Sequence, residues 1–146
     1  MNDRELTGKV HSAMYHQCRA RGFATPVDVL MDIGVLRKQK YEDWRFGRAP
    51  FLEAVCEVNL QKLSFIMSQM FSYAQKNGLK PSFCYYKRWG VKKKGSRPVI
   101  PLRFSKSGNP EIEKRCATHF VDNACVAELK AKADAARTED QEERPG

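Results

Sequence analysis

The sequence predicts an α+β fold: a mainly helical core, one β-hairpin with a basic tip, and then a C-terminal helix. Three observations carry this. Apolar residues recur at three- and four-residue steps through the first 77 positions, the period of helices with one buried face. After Pro81 the period shortens to two, as in a strand. Helix-start signals then return at Asn109-Pro110. At 146 residues the chain has the size of one domain, expected over residues 1–128, with a frayed or disordered polar tail at 129–146.

Leu6, Val10, Ala13, Met14 and Cys18 define a helix over residues 4–21 that stops at Gly22. Its two histidines, His11 and His16, lie about 140° apart around the axis, so one metal ion cannot take both. Thr25 caps a second helix, with Pro26 in the first position, Asp28 in the first turn and Gly34 as the stop. Asp28 and Asp32 share a face but have no third ligand near in sequence, and read as solvated charges. Residues 38–45 form a short helix broken at Gly47. Its aromatics Tyr41, Trp44 and Phe46 read as core, with a docking surface as the alternative. Arg45 and Arg48 flank Gly47, where they either reach a phosphate or pair with Glu42, Asp43 or Glu53.

Pro50 restarts a helix through Leu52 and Val55, and Asn59 caps a longer one that runs to Lys76 and stops at Asn77-Gly78. Its apolar stripe includes Leu63, Ile66, Met67, Met70 and Ala74. Lys62, Phe65, Gln69, Ser72 and Lys76 lie away from that stripe. Ser82–Gly90 alternates, with Phe83, Tyr85, Lys87 and Trp89 on one side and Cys84, Tyr86 and Arg88 on the other. Val99–Phe104 is the second arm of the hairpin, and Pro101 within it argues for a sheet edge. Val91–Pro98 is the tip. The loop 105–110 reads as a capped turn, since Glu111 and Glu113 already answer the helix dipole and would repel an anion. Ile112, Cys116 and Phe120 form the buried side of the last helix.

Charge is segregated. Residues 78–110 hold nine Lys or Arg and no Asp or Glu, whereas residues 1–77 carry +3 and residues 111–146 carry −3, so the formal +9 equals the charge of this one stretch. A concentrated positive patch attracts polyanions over roughly a Debye length of about 10 Å. Aromatics interleave with the cations, a mixture that neutralises phosphates and stacks on bases.

Other functions are less well supported. No Walker loop, dinucleotide glycine pattern, nucleophile elbow or His-Glu-x-x-His occurs, so no cofactor is expected. Cys116-x-x-His119 with Cys125 gives one paired ligand step where a structural zinc site takes two, so no metal is expected. Metal-dependent nuclease chemistry needs clustered carboxylates near the phosphate, and the basic stretch has none. A metal-independent ribonuclease would use His119, Tyr85, Tyr86, Lys87 and Arg88 as proton shuttle and cations; the same residues suit passive binding, which is preferred. Five widely spaced cysteines without a secretory signal are expected as reduced thiols, with Cys18, Cys56 and Cys116 filling core. No apolar run approaches the roughly 18–20 residues of a membrane helix, and a cytoplasmic protein is expected.

The order of elements over residues 4–106 resembles the winged-helix group of nucleic-acid-binding domains. That resemblance implies a groove-reading helix at 59–76 and a backbone-touching wing at 91–98. Residues 38–56 depart from it by inserting helical material before the reading helix, and a further helix follows the wing. The blocks 27–34, 41–48 and 102–108 also resemble a bacterial protein family to which no activity is attached, which implies a bacterial source. The expected function is non-catalytic nucleic-acid binding, to DNA or RNA, with a regulatory role in view. Lys87, Arg88, Lys92, Lys93, Lys94 and Arg97 neutralise phosphates, Tyr86 and Trp89 stack, and Lys62, Gln69, Ser72 and Lys76 form a polar helix face. The alternative is a protein-interaction module whose hairpin and edge strand meet an acidic protein partner. A membrane partner is not expected, because no long basic amphipathic helix is present.

Overall fold

The computed structural model describes residues 2–84, 86–90 and 102–142, with side chains in that range up to residue 136. The α+β class with a helical core holds. Among the described residues there are six α-helices and three strands: α1 (Asp3–Arg21), β1 (Phe23–Ala24), α2 (Pro26–Asp32), α3 (Lys38–Arg45), α4 (Leu60–Lys76), β2 (Lys80–Phe83), α5 (Pro110–Cys116), β3 (Thr118–Val121) and α6 (Asn123–Glu142). A single 3-10 turn, Leu52–Val55, stands where Pro50 was expected to restart a helix.

Local chemistry explains the helix ends. The Asn2 side chain accepts the Glu5 N–H, Thr25 accepts that of Asp28, Asn59 that of Lys62, and Asn109 that of Glu111. Gly22 ends α1 at φ +88°, and a Cβ there would lie 2.5 Å from Val126 Cγ2. The left-handed turn and the close approach of α6 both require glycine at that position.

The core lies where α1 packs on α4, with Leu6, Val10, Met14, Ile66 and Met70 buried. Phe120 meets Phe71 edge to face there, ring centroids 5.1 Å apart. A second focus is Trp44, fully buried under Tyr86 and Phe104. Phe65, expected far from the apolar stripe, is half-buried and packs on the core margin.

The last third of the chain departs from the sequence expectation. Helix α5 ends at Cys116, and residues 118–121 are not helical but form the central strand of an antiparallel sheet ordered β1-β3-β2. Thr118, Phe120 and Val121 are β-branched or aromatic, and Thr118 and Phe120 point inward at the strand period. The four-residue step from Ile112 to Cys116 to Phe120 imitated a helix face; Ile112 is in fact exposed. Helix α6 then runs to Glu142, over positions expected as a frayed helix and then a disordered polar tail.

The hairpin also differs in its partners. Its first arm begins as β2, which pairs with β3 in the register Lys80↔Val121 to Phe83↔Thr118. The two arms meet further along, where the Leu102 N–H donates to the Tyr86 carbonyl at 2.8 Å. The tip at 91–98 and the residues to 101 lie outside the described residues. Beyond Leu102, carboxylates hold the chain. Glu113 accepts the Phe104 N–H at 2.9 Å and Glu53 accepts that of Lys106 at 3.0 Å. The loop 105–109 is a braced turn with acids at its back, in keeping with its reading as a capped turn.

All five cysteines are free. Burial pushes the Cys18 thiol up to about 11 and those of Cys56 and Cys116 up to about 12, so these three stay protonated and inert at neutral pH.

Candidate nucleic-acid interface

The hairpin root rests on the C-terminal end of α3. The Trp89 N–H donates to the Arg45 carbonyl at 2.6 Å, and Arg88 Nε donates to the Phe46 carbonyl at 3.1 Å. Between these two hydrogen bonds, one from the backbone and one from a side chain, lies an arginine-aromatic cluster. The Arg45 guanidinium carbon sits 4.7 Å from the Trp89 ring centroid and 5.0 Å from that of Tyr86, while Arg48 lies 5.1 Å from Phe46. Cations over aromatic faces gain about 0.5–2 kcal/mol each, more as they are desolvated. Among the described residues Arg45 Nε is buried without a hydrogen-bond partner. Among the described residues Arg45 and Arg88 have no ion pair, whereas Arg48 reaches Asp43 at 3.3 Å.

Gly47 makes this arrangement sterically feasible. It stands at φ +77°, and a Cβ would lie 2.5 Å from Arg88 Nε and 2.8 Å from its Cζ. Gly47→Ala is therefore expected to cost about 1–2 kcal/mol from the left-handed backbone alone, plus the displacement of Arg88. Urea unfolding of Gly47→Ala with and without Arg88→Ala checks this. The glycine substitution should cost less when Arg88 has already been truncated, and equal costs would exclude the close approach.

The predicted stacking pair divides between interior and surface. Trp89 is 37% exposed. Tyr86 is instead half-buried among Trp44, Phe104 and His119, and burial pushes its hydroxyl well above the usual tyrosine range. Its ring packs within the root, beneath the Arg45 guanidinium. Lys87 and Arg88 are exposed. Phe46, read as core, is 39% exposed and meets Trp89 edge to face with centroids 5.5 Å apart. Lys92, Lys93, Lys94 and Arg97, like Tyr85, lie outside the described residues.

The polar face of α4 is a separate surface. Lys62 pairs with Asp3 of α1 at 2.9 Å, Gln69 and Ser72 are half-buried, and Lys76 is exposed in the last turn. Ser72 lines an open groove with Phe71, Pro81 and Arg115, between α4 and the sheet. Lys62 turns toward α1 and Ser72 toward the sheet, while Arg88 and Trp89 bond to the C-terminal end of α3.

His119 and Tyr86, far apart in sequence, come together, with Nε2 and the hydroxyl oxygen 3.4 Å apart. Phe23 stacks on the imidazole at 5.9 Å. Burial lowers the His119 pKa below its ordinary value of about 6.5, against a smaller opposing pull from Asp28. The unfolded chain then binds a proton at a pH where the folded one does not, so stability is lost as pH falls from about 6.5 through the folded pKa. The urea midpoint should drop from pH 7.5 to pH 5.5, and His119→Gln should show a smaller drop. Cys116 does not share this environment; it lines an apolar cavity of about 130 Å³ with Cys56 and Met67. Among the described residues no three His, Cys, Asp or Glu side chains gather as a metal site would need, and no helix is long and apolar enough to cross a membrane.

No family model, curated protein or solved structure matches this chain.

Proposed function

We propose that this protein binds nucleic acid without cleaving it, through the basic hairpin and the arginine-aromatic root that carries it. One observation supports this most: the stretch with the chain's net charge is anchored beside Arg45 and Arg88, two arginines without ion pairs among the described residues. Two carboxylates near the second arm, Glu113 and Glu53, are engaged in holding the chain behind the 105–109 loop. The excess of cations at the hairpin is thus left for an external polyanion. The cytoplasmic setting expected from the sequence fits this role.

Fluorescence anisotropy with labelled RNA, single-stranded DNA and duplex DNA, each at three salt concentrations, tests the proposal. Binding that weakens with salt is expected, with probes intact on a gel afterwards. Absence of binding to all three at low salt would overturn it in favour of an acidic protein partner, and shortened RNA would replace it with ribonuclease activity.

A further inference from the structure

We infer that the hairpin root is a stacking platform for unpaired bases, so that the ligand is single-stranded nucleic acid; this rests on the nucleic-acid-binding function proposed above. Trp89 and Phe46 are large, exposed and set edge to face, an interplanar angle of 77°. Tyr41 abuts Trp89 edge to face as well, at 85°. The Arg45 guanidinium lies over Trp89 and still leaves the indole 37% exposed. Open aromatic surface beside cations suits a partner that is flat and anionic at once, and nucleotides are such partners. The platform is also fixed in place. The Trp89 and Arg88 bonds to α3 tie its two sides together, so little ordering remains to be done on binding.

A duplex does not fit this surface as well. Its base faces are already stacked within the helix, and it offers only edges and phosphates to a protein. Reading those edges calls for an open helix face, yet on α4 Lys62 is engaged by Asp3 and both Gln69 and Ser72 are half-buried. Unpaired bases have free faces, and Arg88, without an ion pair among the described residues, stands beside the platform to meet their phosphates.

Anisotropy titrations with oligo(U), oligo(dT) and a duplex of the same length test the inference on wild type, Trp89→Ala, Trp89→Phe and the Lys92/Lys93/Lys94→Ala variant. Both single strands should bind more tightly than the duplex. Trp89→Ala should weaken their binding about tenfold, Trp89→Phe should keep most of it, and duplex binding should be unchanged by either. Should Trp89→Ala prove unfolded by circular dichroism, quenching of wild-type tryptophan fluorescence by oligo(U) but not by the duplex serves in its place. Tighter duplex binding, or undiminished oligo(U) binding by Trp89→Ala while the lysine variant loses it, would overturn stacking and leave polyanion binding standing. Binding to no probe would overturn both.

Discussion

Replacing Lys92, Lys93 and Lys94 with alanine is expected to weaken binding to a single-stranded oligonucleotide about a hundredfold at about 0.1 M salt. Each phosphate neutralised on a single strand releases roughly 0.7 of a counterion, which at that salt is about 0.7 of a decade in affinity, and three contacts give about two decades. Three consecutive lysines in a stretch without a single carboxylate have no intramolecular neighbour in sequence to compete for them. Lys62→Ala is the contrast. Its ammonium is already paired with Asp3, so its loss should change affinity by less than about threefold. Anisotropy at fixed salt reads both variants, with thermal midpoints taken alongside to confirm that each is folded. Equal, small losses from the two variants would remove the hairpin from the interface.

Trp44→Ala should be the most damaging single substitution to the fold, at about 3–5 kcal/mol. The indole is fully buried, touches the rings of Tyr41, Tyr86 and Phe104, and donates from Nε1 to the Arg103 carbonyl at 2.8 Å. Truncation leaves a large cavity and a carbonyl short of a donor in the strip where α3, the hairpin root and the braced loop converge. A domain stabilised by about 5–15 kcal/mol loses much of its margin. Trp44→Phe separates the two components, since it keeps most of the volume and loses the hydrogen bond, at about 1–3 kcal/mol. Urea unfolding measures both. Because Trp44 supports Tyr86, and Tyr86 supports Arg45, the alanine variant should also bind oligo(U) more weakly under conditions where it remains folded.

Local signals in the chain were strong enough to place most helices. Thr25 with Pro26, Asn59, and Asn109 with Pro110 each cap the helix they precede, because a cap is decided by the first turn and needs no distant partner. The sheet was not legible in that way. β1 has two residues, too few to show a period, and β3 exists because β1 and β2, nearly sixty positions apart, flank it on either side. Strand pairing is set by such long-range contacts, and a four-residue apolar step across β3 gave no warning of it.

The candidate site was legible in its charge and not in its shape. Net charge adds up along a sequence whatever the fold. Which aromatics face out does not. Trp44 and Phe46 are two residues apart, about 200° around a helix, so one had to leave the core when the other entered it. That spacing was the signal that could have marked Phe46 as surface. The position of Arg45 between Tyr86 and Trp89 had no such signal, since it depends on the hairpin folding back over α3.

The most direct measurement is the dependence of oligo(U) affinity on salt for the wild-type protein and for the Lys92/Lys93/Lys94→Ala variant. If the hairpin neutralises phosphates, log K against log salt should fall with a slope of about −2 or steeper for the wild type and should be shallower by about 2 in the variant. A wild-type slope near zero, or identical slopes for the two proteins, would contradict phosphate binding by the hairpin.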